Sequence, residues 1–211
     1  MEILNKEIET RIQNDIIDVV LRGKYDLARG TLVQVIDELY VNIPDNKRIS
    51  YGIVHVIKTL SEYLYTHLVE EDAPVYRIAS HIFDESDDSK SKGVSLGILS
   101  FYGLSDYKKA FPCFESAAAS SDWKMRELAQ MFFRKLIVKH PDQMKEYLLR
   151  LVKSEDANIR RFVAETLWIA YRACRNLVKK EPVKVMDLLK VDEYKYKKRI
   201  YTRSGYPGNR S

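Results

Sequence analysis

The chain repeats itself every 34 residues, and that interval restricts its fold more than any other feature. Residues 86–101 (SDDSKSKGVSLGILSF), 120–135 (SSDWKMRELAQMFFRK) and 154–169 (SEDANIRRFVAETLWI) align without gaps. Asp88, Asp122 and Asp156 share one column, and Lys92, Arg126 and Arg160 share another. Val94, Leu128 and Phe162 form an apolar column, as do Leu99, Phe133 and Leu167. A period of this size belongs to helical solenoids, whose units bury their apolar faces only against neighbouring units. The expectation is an all-α, α-α superhelical solenoid of antiparallel helix pairs, about six at most.

Helical spacing of apolar residues runs through almost the whole chain, which has only 8 glycines and 6 prolines. Ile8, Ile12, Ile16, Val19 and Val20 mark a helix over about Asn5–Arg22, which Gly23 ends. Further helices are expected over about Tyr25–Val41 and Tyr51–Leu68, separated by Ile43-Pro44-Asp45. Another begins near Glu71-Asp72-Ala73-Pro74, a degenerate earlier unit, and ends near Phe83. The polar run Asp84–Lys92 reads as a connection. Helices then follow over Val94–Tyr102, Asp106–Ala119, Trp123–Lys139, Gln143–Lys153, Asn158 to about Lys179, and Glu181–Lys190. The expected organisation is one repeat domain over 1–190. The basic tail 191–211 reads as disordered or as an incomplete repeat.

Each aspartate of the repeat stands where its carboxylate can cap the helix it precedes, an effect of about 1 kcal/mol. The basic residue four positions on lies one turn into that helix. An Asp–Arg ladder between stacked units is the structural expectation for at least one of these columns.

Composition and motifs exclude several classes of function. The longest apolar stretch falls short of the roughly 18 residues of a membrane helix. Met1–Gln13 carries no signal-peptide core, so a cytoplasmic location is expected. Cys113 and Cys174 read as buried, reduced thiols. His55, His67, His81 and His140 lie on different helices without ligand spacing, so no metal is expected. Phosphate-binding glycine loops are absent, so no nucleotide cofactor is expected.

Charge divides the chain. Residues 1–86 carry 9 Lys+Arg against 15 Asp+Glu, and residues 87–211 carry 26 against 15. The last 41 residues carry 12 against 4. A basic half suggests an anionic partner, and tyrosines interleaved with lysines near the tail suit nucleic acid. Both tryptophans, Trp123 and Trp168, lie in the repeats. A tryptophan can stack on a base or attract a cation. A carboxylate such as Glu127 or Asp122 beside it can stabilise charge on a sugar ring as a glycosidic bond breaks. Arg126, Arg160, Arg161 and Lys92, near helix starts, can hold phosphates.

The segments Asp122–Ala129, Phe133–Lys135, His140-Pro141 and above all Asn158–Leu167 (NIRRFVAETL) resemble the DNA alkylation repair family of HEAT-like repeat proteins. The similarity covers roughly residues 85–190. It implies HEAT/ARM-like helix pairs whose basic concave face cradles duplex DNA. It also implies, for active members, excision of cationic alkylated purines such as 3-methyladenine and 7-methylguanine. On that resemblance Glu127 matches an acidic residue of the family's repeats, Trp123 is its nearest aromatic, and Arg160 and Arg161 match the phosphate-facing pair. Two features depart from the pattern. Trp168-Ile169-Ala170-Tyr171 stands where many relatives have an Arg-Pro turn, and the later repeat that would supply a second acid is incomplete. The alternative from a different class is a non-catalytic scaffold for protein partners. Arg126 and Arg160 pairing only with the turn aspartates would favour that alternative, and these arginines sharing a concave face with Trp123 and Glu127 would favour DNA.

Overall fold

The computed structural model describes residues 4–43 and 52–173, with side chains through residue 166. The described residues are all-helical, without strands. They fall into two compact units, one through Phe114 and one from Glu115 onward, with the boundary inside α7 (Tyr107–Ala119).

The first unit begins with α1 (Lys6–Ile12), which runs through a π-helical turn (Gln13–Ile17) into α2 (Asp18–Leu21). The wider turn brings Ile16 and Ile17 into the core together with Ile12 and Val20. Asn5 caps α1 by accepting from the Ile8 N–H at 2.9 Å. Gly23 ends α2 with φ of 75°. Its N–H donates to Val20 O and that of Lys24 to Val19 O, a double closure that needs a left-handed residue.

Next come α3 (Tyr25–Val41), α4 (Gly52–Glu70), α5 (Val75–Glu85) and α6 (Ser89–Tyr102). Both α4 and α5 pack on α6. The surface of α6 is made small enough for this by Ser91, Gly93, Ser95, Gly97 and Ser100, all buried. Ser61 of α4 is fully buried, with its hydroxyl within reach of the Ile57 carbonyl at 2.6 Å and the Val94 carbonyl of α6 at 3.1 Å.

The run expected to connect α5 with α6 is much shorter than its polarity suggests. Asp88 caps α6, and Ser89 to Lys92 form its first turn. Polar residues are ordinary at a helix start, where side chains and water serve the free N–H groups.

The second unit contains the end of α7, then α8 (Trp123–Lys139), α9 (Pro141–Leu151) and α10 (Ala157–Ala173). Each of α8, α9 and α10 packs on the other two. His140 alone separates α8 from α9, and Pro141 opens α9, where its missing N–H costs nothing. The core is aromatic. Phe133 meets Phe162 edge-on at 5.6 Å and Tyr147 at 5.8 Å. Phe132, Phe133, Leu136, Met144, Leu148 and Phe162 are almost fully buried. Removing a buried phenylalanine from such a core costs about 3–5 kcal/mol. The helix expected over Glu181–Lys190 and the tail 191–211 lie outside the described residues.

Candidate functional site

The repeat columns converge at two turns of the second unit, and the turns are built alike. At the start of α8 the Ser120 hydroxyl oxygen accepts from the Asp122 N–H at 3.1 Å. The Asp122 carboxylate in turn accepts from the Lys124 N–H at 2.9 Å. Arg126 reaches back one turn, and its Nη1 donates to the carbonyls of Ser120 at 2.6 Å and Ser121 at 2.9 Å. Thirty-four residues on, Ser154 accepts from the Asp156 N–H at 3.2 Å and Asp156 from the Asn158 N–H at 2.7 Å. Arg160 Nη1 donates to the carbonyls of Ser154 at 2.7 Å and Glu155 at 2.8 Å.

This geometry refines the expected ladder. The aspartates are N-caps, as the spacing indicated. The arginines bind main-chain carbonyls just before those aspartates rather than the carboxylates. A rigid fork with several donors suits two adjacent carbonyls. The serine that completes each turn was a third shared column, Ser86, Ser120 and Ser154, legible in the alignment but not singled out. Asn158 Nδ2 also donates to the Ala119 carbonyl at 3.4 Å, tying the start of α10 to the end of α7.

The other site residues fall into three groups. Trp123, the first residue of α8, is 61% exposed, and Glu127 is exposed one turn further on. Residues four apart share a helix face, so the indole and the carboxylate look outward together. Arg161 is half-buried and donates from Nε to Glu165 Oε1 at 2.9 Å. The other oxygen of Glu165 accepts from the amide of buried Gln130 on α8. Neither Glu165 nor Gln130 was expected from the sequence, where the pair looks like one helix-surface acid and one core-edge amide. In the first unit, Lys92 places its ammonium 5.3 Å from the centre of the Phe83 ring. The side chain of Trp168 lies outside the described residues.

A second polar cluster joins α7 to α9. The Glu115 carboxylate accepts from the Tyr147 hydroxyl at 3.2 Å and from Arg150 at 2.9 Å. Burial pushes the Tyr147 phenol far above its ordinary pKa, and the Glu115 charge adds to this. Among the described residues no three His, Cys, Asp or Glu side chains stand together as metal ligands, and no helix is long and apolar enough to cross a membrane. The chain matches no family model, no curated protein and no solved structure.

Proposed function

We propose that this chain is a non-catalytic helical scaffold, a HEAT/ARM-like α-solenoid that acts by taking a protein partner on its surface. The supporting observation is the pair of matching turns 34 residues apart. The repeated arginines each hold two carbonyls of the turn between one helix and the next. Arg161 likewise serves Glu165. Repeated bonds of this kind favour successive helix pairs leaving each turn in the same direction, as solenoid growth requires. Residues committed to that duty have less to offer a phosphate backbone.

A second reading has a specific observation in its favour. An indole exposed to 61% beside the exposed carboxylate of Glu127 suits duplex DNA binding in the manner of the DNA alkylation repair family, with excision of cationic alkylated purines.

Base release from methylated duplex DNA by the purified chain separates the two. The scaffold reading expects no 7-methylguanine above the uncatalysed background. It also expects duplex affinity to be unaffected by Arg160→Ala with Arg161→Ala in variants that remain folded. Release that falls in Glu127→Gln would overturn the scaffold and establish the glycosylase.

A further inference from the structure

One face of α8 carries a line of residues that the turns and the core do not use. Trp123, Glu127, Met131, Arg134 and Val138 follow one another at spacings of four, four, three and four. That spacing keeps all five on one side of the helix. Trp123 is 61% exposed and Val138 is 52% exposed. Glu127 and Arg134 are exposed and Met131 is half-buried. The core of the unit lies on the opposite side, where Met125, Leu128, Phe132 and Leu136 are buried.

The line therefore carries a large apolar side chain near each end and a methionine between them. The order of charges along the line is also specific. Glu127 lies four residues before Met131, and Arg134 lies three residues after it.

From this order we infer that the exposed face of α8 is the seat of a second copy of this chain, packed α8 against α8 in antiparallel fashion. This rests on the scaffold reading and names its partner. Place a two-fold axis beside Met131. Each Glu127 then faces the Arg134 of the other copy, each Trp123 faces the other Val138, and the two Met131 side chains meet at the centre. A two-fold interface must be self-complementary in this way, because one patch meets itself reversed. The line satisfies that condition in charge and in apolar size. A parallel pairing would instead set Glu127 against Glu127 and Arg134 against Arg134. Antiparallel helices can pack along such a line with small crossing angles. A contact made by one 17-residue helix from each copy falls at the small end of specific interfaces, as reversible associations do.

The test is sedimentation equilibrium of the full chain and three variants over a wide range of protein concentration. The wild type should shift from monomer to dimer as concentration rises. Glu127→Arg alone places two pairs of arginines face to face and should leave monomer. Arg134→Glu alone places two pairs of carboxylates together and should also leave monomer. The double variant Glu127→Arg with Arg134→Glu restores both pairs in reverse and should dimerise as the wild type does. Both exchanged positions are exposed, and equal helical circular dichroism confirms that the variants are folded. A wild type that stays monomeric, single variants that dimerise normally, or a double variant that stays monomeric each overturns the proposal. A monomer that releases no base and ignores duplex DNA overturns only the self-association and leaves the scaffold with a different protein partner. Base release from methylated duplex would instead remove the scaffold reading, whatever the mass.

Discussion

The turn before α6 and the turns before α8 and α10 occupy the same columns of the repeat, yet they are fastened differently. In the second unit each serine accepts a hydrogen bond from its aspartate's N–H, and each arginine holds two carbonyls. In the first unit the Ser86 hydroxyl donates to the Ile82 carbonyl at 2.6 Å instead. Asp88 takes two N–H groups, of Lys90 at 3.0 Å and Ser91 at 2.7 Å. Lys92 lies against the Phe83 ring. The difference follows from the basic residue. A guanidinium presents several donors in a plane and can serve two carbonyls at once, whereas an ammonium is a compact charge that an aromatic face accommodates. The cap is the constant part of the repeat and the fastener is the variable part.

That contrast can be broken at the fastener first. Arg160→Ala should cost about 1.5–3 kcal/mol, because two turn carbonyls lose a charged donor. Lys92→Ala should cost only about 0.5–1 kcal/mol, the worth of a partly exposed cation over a ring. Urea unfolding of the two variants side by side measures the gap, and equal costs would erase the distinction between the turns.

The cap should behave uniformly. Asp88→Ala, Asp122→Ala and Asp156→Ala are each expected to cost about 1 kcal/mol. A spread among them wider than the fastener gap would show that the aspartate column, too, differs between units.

The remaining effect concerns pH. Burial, helped by the Asp84 charge, pushes the Cys113 thiol up from 9.0 to about 11. The folded state therefore holds the thiol proton more tightly than the unfolded chain does. That contribution is complete below pH 9 and is lost as pH rises through about 11. Cys113→Ser should flatten the fall in stability over this window. Parallel curves for wild type and variant would contradict the assignment. The second unit's buried phenol, Tyr147, is raised in the same direction.

Much of the fold was legible because apolar periodicity dominates the chain. The bounds of α3 and α8 follow directly from it. The start of α6 did not, because Ser89-Lys90-Ser91-Lys92 is polar and a polar first turn resembles a loop. The π-turn was hidden for a related reason: Ile16 and Ile17 are adjacent, and only backbone geometry tells which face each takes. At the site, the capping role of the aspartates was readable from position alone. The destination of the arginines was not. A residue one turn into a helix can reach the carboxylate or the carbonyls behind it, and the sequence leaves both within range. Gln130 and Glu165 were unreadable because their bond spans 35 residues and depends on how α8 and α10 pack.

Arg126 and Arg160 fasten the turns before α8 and α10 by holding two carbonyls each. The most direct test of this role is the denaturation midpoint of Arg126→Ala with Arg160→Ala, set against Lys124→Ala with Lys153→Ala, which removes the same charge from exposed positions. The fastener pair should lose about 3 kcal/mol or more, two charged hydrogen-bond sites together, while the exposed pair should stay within about 0.5 kcal/mol of wild type. Equal midpoints for the two double variants would contradict the account and return Arg126 and Arg160 to the surface chemistry of a phosphate contact.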